Sequence, residues 1–242
     1  LIMTLSVFTA CGNNGTAPDE VDTTNENTEN TESTADDEKQ NADKDDVVEL
    51  TGNIALTEPL SITKDVTIRS IGGAEISGGA FEVSSSADVT LQGVNFKAPR
   101  TSDNQGVSLK ASAYAGKLIL QDCTFEEPQW SSVVITATAS ADITIKDCTF
   151  DAKSSAGHND KSADSSALTE GAHQIMKITG ESGTKLALTG NTFTGLNKCH
   201  ASSSVVVSGI SANEMTCEKN TADETAKISI ENNGRLKGFA KK

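Results

Sequence analysis

Apolar positions along this chain fall in pairs two residues apart, and the pairs come in a repeated phrase. It reads Asp65-Val66-Thr67-Ile68, Asp88-Val89-Thr90-Leu91, Lys117-Leu118-Ile119-Leu120, Asp142-Ile143-Thr144-Ile145, Lys185-Leu186-Ala187-Leu188 and Lys227-Ile228-Ser229-Ile230. A period of two is that of a strand whose alternate side chains enter a core. Four copies finish alike, in Gly93-Val94-Asn95-Phe96, Asp122-Cys123-Thr124-Phe125, Asp147-Cys148-Thr149-Phe150 and Gly190-Asn191-Thr192-Phe193. Between copies lies a second strand-like unit, seen in Phe81-Glu82-Val83, Val107-Ser108-Leu109, Val133-Val134-Ile135, Ile178-Thr179 and Val205-Val206-Val207. Each repeat therefore carries at least two strands with their turns.

Successive copies start 23, 29, 25, 43 and 42 residues apart, and the short values set a coil of 23 to 25 residues. A coil that small cannot bury its apolar face alone. It must stack on its neighbours with like positions about 4.8 Å apart. The expected fold is all-β, a right-handed parallel β-helix of about six to seven coils. The phrases Ile-x-x-Cys-x-Phe and Leu-x-x-Asn-x-Phe resemble those of pectin-lyase-like β-helices over about residues 47 to 233, a resemblance that implies the fold and not an activity. A sandwich or Greek-key barrel is the other architecture such strand spacing allows.

Stacking makes definite predictions about side chains. Phe96, Phe125, Phe150 and Phe193 should form one inward column, and Val94, Cys123, Cys148 and Asn191 the next. Cys123 and Cys148 then sit one rung apart with parallel side chains, which favours stacked buried thiols over a disulfide. Cys199 and Cys217, 18 residues apart, are the pair expected to close a disulfide in an exported protein. Asp122 and Asp147 fall on one outward position and read as turn residues. Arg69 stacks outward over Gln92, Gln121, Lys146 and Thr189, with no carboxylate expected beside it.

Charge is placed unevenly. The formal net charge is -14, and residues 12–46 hold twelve acids against Lys39 and Lys44. Rich in Asn, Thr, Glu and Asp, this stretch cannot bury enough apolar surface to offset the entropy of ordering it, so it reads as a disordered acidic linker. No basic run exceeds Lys241-Lys242, which argues against a nucleic-acid partner. Ahead of the linker, the uncharged run from Leu1 to Gly12 is too short to span a bilayer. Its Phe8-Thr9-Ala10-Cys11 resembles the lipobox of a bacterial lipoprotein signal. That resemblance implies a lipidated Cys11 and a membrane partner through the lipid anchor. The domains expected are thus a signal remnant over 1–11, the linker over 12–46 and a β-helix over 47–242, in an extracellular monomer lipid-anchored to the bacterial cell envelope.

Candidate chemistry belongs where coil length varies. The corner after each Phe changes most, so a ligand edge is expected from residues 97–106, 126–132, 151–174 and 194–203, because insertions in repeat folds gather on the binding face. Trp130, the single Trp, offers an apolar plane to a sugar ring. Arg100, His158 and Asp160 are the other side chains on this edge suited to a ligand. The loop acids Asp151, Asp160, Asp164 and Glu170 lack the spacing of a calcium loop, so no cofactor is expected and Ca2+ is the one ion left open. A metal site elsewhere is not expected, since none of His158, His173 and His200 shares the cysteine column.

Similarity to pectate lyases would imply an acidic calcium cluster with an Arg base, and to polygalacturonases a Gly-His-Gly segment beside several Asp. Gly157-His158-Asn159-Asp160 departs from the second pattern at its last Gly. The expected function is a lipid-anchored surface module that binds carbohydrate or protein without catalysis. The alternative is a polysaccharide lyase or glycoside hydrolase acting on an extracellular polysaccharide.

Overall fold

A computed structural model describes residues 46–99, 106–155, 157–158, 170–230 and 238–242. Asp45–Lys242 is one compact unit, built as a right-handed parallel β-helix. Each coil contributes a strand to three sheets in turn. The first sheet stacks Asp46–Leu50, Val66–Ser70, Val89–Gln92, Lys117–Gln121, Asp142–Lys146, Lys185–Thr189 and Met215–Glu218. The second runs from Ile54–Ala55 through Asn95–Lys97, Thr124–Glu126, Thr149–Asp151 and Thr192–Thr194 to Phe239–Lys241, and the third from Leu60–Ile62 to Ile228–Ile230. Every pairing is parallel, and Val66, Val89, Leu118, Ile143 and Leu186 are register partners as the phrase predicts.

The sixth phrase is a correction. Ile228 does not follow Leu186; it pairs with Val205 in the third sheet. The strand above Lys185–Thr189 is Met215–Glu218, with Leu186 opposite Met215 and Leu188 opposite Cys217. Alternating Ile-x-Ile suits any inward strand, so the phrase alone does not say which sheet it joins. Val205 and Val207 are the buried members of their strand and Val206 faces outward.

Phe96, Phe125, Phe150 and Phe193 form the inward aromatic column. Their centroids are 4.9, 4.8 and 4.9 Å apart and their planes lie within 6° of parallel. Phe81 closes one end edge-on at 5.2 Å. At the other end Ala222 takes the aromatic position, and Phe239 leans on Phe193 at 5.8 Å. Each stacked pair contributes about 0.5–1.5 kcal/mol beyond the area it buries.

The turn from first to second sheet has its own ladder. Gly93, Asp122, Asp147, Gly190 and Lys219 all have φ between 53° and 70°, a left-handed conformation that Gly takes freely and Asp tolerates. The next residue points inward, and after Val94 in the first of these turns each one donates to a carbonyl of the coil before. Cys123 Sγ reaches Leu91 O at 3.4 Å, Cys148 Sγ reaches Leu120 O at 3.5 Å, Asn191 Nδ2 reaches Ile145 O at 2.8 Å and Asn220 Nδ2 reaches Leu188 O at 2.9 Å. Cys and Asn thus do the same work at one position. The Asp that opens several phrases is explained alike: Asp65 Oδ1 accepts from Asp88 N at 2.7 Å, and Asp88 Oδ1 from Lys117 N at 2.7 Å.

Two expectations about side-chain partners are corrected. Cys199 and Cys217 are separate free thiols, as are Cys123 and Cys148. Cys199 caps the short 3-10 turn Leu196–Lys198 at the corner after the second sheet, whereas Cys217 ends an aliphatic column of the first sheet. A corner of one coil holds the first and a strand of the next coil the second. Arg69, expected to lack a carboxylate, pairs with Glu49 on the preceding strand, because Asp46–Leu50 supplies one coil more than the phrases predict.

Contact with the Cys123 sulfur, then burial, push the Cys148 thiol up, and burial pushes Cys217 up to about 11. Phe150→Ala should destabilise the protein by about 3–5 kcal/mol in urea unfolding, through lost burial and a break in the stack. Asn191→Ala strands the Cys148 N–H and the Ile145 carbonyl and should cost about 1–3 kcal/mol by the same measurement. Because the folded state holds the Cys217 proton more tightly than the unfolded chain, its contribution is complete below pH 9.0 and is lost as pH rises toward about 11. Cys217→Ser should flatten that part of the stability–pH curve measured by denaturant titration.

Candidate functional site

The corners after the second sheet are joined to one another by backbone bonds, which carry the coil register into the loops. Trp130 N donates to Gly106 O at 2.9 Å, Gln174 N to Trp130 O at 3.0 Å, and Ala201 N to His173 O at 2.8 Å. Gln129, buried, accepts from Gly106 N at 2.8 Å through Oε1. Lys227 Nζ holds the last of these corners by donating to Ala201 O at 2.9 Å and Cys199 O at 3.4 Å.

This register stacks an indole on an imidazole. Trp130 and His173 stand three residues before Val133 and Met176, which are partners in the third sheet, and their rings lie 4.0 Å apart with 7° between planes. His200 arrives one coil later. The insertion between Thr149–Asp151 and Met176–Thr179 returns His158 beside them, edge-on to Trp130 at 5.4 Å and 5.3 Å from the His200 ring. The chain's three histidines and its single tryptophan therefore meet on the expected ligand edge.

His158 is fully buried and held from both ends. Its Nδ1 lies 2.8 Å from Gly171 O and its Nε2 lies 3.3 Å from His200 Nδ1. Gly171 sits at φ 83°, where a Cβ would also strike the Lys198 carbonyl; only glycine lets the chain turn here and aim that carbonyl at the ring. Ser155 ties the start of the insertion to the coil before it, its hydroxyl donating to Pro128 O at 2.6 Å. His173 is half-buried and His200 exposed, so the cluster opens to solvent on the His200 side.

Of the residues expected on this edge, Trp130 and His158 are brought together, whereas Arg100 and Asp160 lie outside the described residues. So does Cys11. Trp130 is half-buried with one face covered by His173, which leaves a ligand at most the other face. His173 and His200 went unnoticed as partners, although the register that aligns Ile135 with Ile178 already sets Trp130 level with His173. Nothing in the spacing signalled the return of His158.

Two other surface features carry polar groups. Glu126 and Asp151 are outward register partners at the start of this edge, with Asp151 Oδ1 accepting from Lys153 N at 3.0 Å. A groove of about 350 Å3 lies on the outer face of the third sheet near its first coils, where Ser61, Thr63, Ser84, Ser85 and Ser112 meet Lys110 and Glu82. Among the described residues no three His, Cys, Asp or Glu side chains are arranged to hold a metal ion. Comparison with family models, with curated proteins and with solved structures finds no match to this chain.

Proposed function

We propose that the protein is a lipid-anchored surface module whose β-helix binds carbohydrate, or a glycosylated partner, through the edge built around Trp130, and does so without catalysis. The observation that supports this reading is the gathering of one tryptophan and three histidines on the corners where coil length varies, while the opposite corners are closed by short ladders. An indole with a polar, hydrogen-bonding rim is suited to a sugar ring, whose faces are apolar and whose edge is hydroxylated. Cys11 would carry the lipid, and residues 12–46, with their net negative charge, would hold residues 47–242 away from the membrane.

One arrangement favours the alternative, a polysaccharide lyase or glycoside hydrolase. Glu126 and Asp151 stand on adjacent rungs, about the separation at which a carboxylate pair serves a retaining glycosidase. Both belong to one flat strand row, however, so a chain bound across them would present both carboxylates to the same side. Pairs that cleave must flank the bond.

Trp130→Ala should weaken binding on a glycan array at least about tenfold, the scale of one lost aromatic contact, with an unchanged circular dichroism spectrum. Cys11→Ser should abolish incorporation of an alkyne-labelled fatty acid and release the protein into the medium. Acidic and neutral polysaccharides incubated with the protein, with and without calcium, should yield neither unsaturated products nor new reducing ends. Turnover that disappears in Glu126→Gln would replace the binding reading with the enzymatic one.

A further inference from the structure

We propose that His158 and His200 form a two-histidine chelating site for a borderline divalent cation, with zinc the ion their geometry fits. His158 Nε2 and His200 Nδ1 are 3.3 Å apart. Two imidazole nitrogens bound to one zinc at about 2.0–2.1 Å with a tetrahedral angle lie about 3.3 Å from each other. The pair is thus set at the bite of the ion.

The surroundings of His158 supply what a histidine ligand needs. Its Nδ1 lies 2.8 Å from the Gly171 carbonyl, and a backbone carbonyl can only accept, so Nδ1 carries the proton. Nε2 then keeps its lone pair, on the side that His200 occupies. A carbonyl on the far nitrogen is the recurring outer-shell partner of metal-bound histidine, fixing tautomer and ring orientation. Gly171 is itself held by its left-handed turn against the Lys198 carbonyl. The buried ring is therefore preorganised, and the exposed ring of His200 lies on the side from which an ion arrives.

Without metal, His200 Nδ1–H donates to His158 Nε2. With metal, the His200 ring proton moves to its own Nε2 and Nδ1 becomes the second ligand. This change of tautomer moves the proton within the His200 ring and gives up none to solvent. His173, stacked on Trp130 and 6.3 Å from His200 between ring centres, walls the site and is not counted as a ligand. Two protein ligands leave the remaining zinc positions to water or to an oxygen of a bound molecule.

Zinc titration of the full chain against a chromophoric chelator tests this. Wild-type protein should take up one zinc per chain, and zinc should raise its thermal unfolding midpoint, because an ion that binds only the folded state stabilises it. His200→Ala should weaken uptake about tenfold or more, since even an outer-shell partner is worth that much. It should also remove the zinc-induced thermal shift, read for each protein against its own midpoint in EDTA, since loss of the His200 ring also leaves the buried His158 Nε2 without its donor. Failure of the wild type to compete with the chelator would overturn the proposal. So would equal uptake by His200→Ala, which would place the zinc elsewhere on this acidic chain. His158→Gln, which keeps a buried hydrogen-bonding side chain, serves as the second variant and should lose zinc in parallel with His200→Ala.

Discussion

Parallel pairing of each coil with the next is the constraint on which everything else in this protein rests. Backbone groups that point along the helix axis find partners only in the adjacent coil, so equivalent residues must lie level with one another at the strand spacing. A side chain that is favourable at one rung then meets its own kind on the next. Phe125 stacks between Phe96 and Phe150 with planes 6° and 2° from parallel for that reason. The Asp65 carboxylate receives the Asp88 amide, and the Asp88 carboxylate the Lys117 amide, for the same one.

Turns obey this constraint as strictly as strands. From the strand Val89–Gln92 onward the chain leaves the first sheet through a left-handed residue, and Gly, Asp or Lys occupies that place in successive coils. The inward residue that follows is Val94 in the first of these turns, and in the later ones it donates to a carbonyl of the coil before it. Asn191 and Asn220 do so with amides, and Asn191 Oδ1 also accepts from Cys148 N at 2.9 Å; Cys123 and Cys148 do so with thiols. Thiols donate weakly, so the cysteine rungs depend more on packing and the asparagine rungs more on hydrogen bonds.

Chemistry collects where the constraint is relaxed. The corners after the second sheet are paired at only a few backbone groups, so coils can lengthen there without disturbing the core. One insertion brings His158 back onto rings that stand level through register alone. The result is a cluster whose innermost member is fully buried and whose outermost member meets solvent.

Strand identity, coil spacing, the aromatic column and the buried thiols were legible in the sequence, because period-two alternation and recurrence of Phe at a constant offset are local patterns that stacking repeats. Local pattern also marked the inward residues of the first two sheets, whereas in the unbroken Val205-Val206-Val207 run it favours Val206 as the inward anchor and the structure turns Val205 and Val207 inward instead. Tertiary structure alone decided that Ile228–Ile230 joins the third sheet while Met215–Glu218 continues the first, since an inward aliphatic pair fits either wall of the core equally well. It alone decided that Arg69 meets Glu49, that Cys199 and Cys217 remain apart, and that His158 rests on Gly171 facing His200. These depend on where an irregular corner re-enters the register, and no backbone periodicity extends through such a corner to announce it.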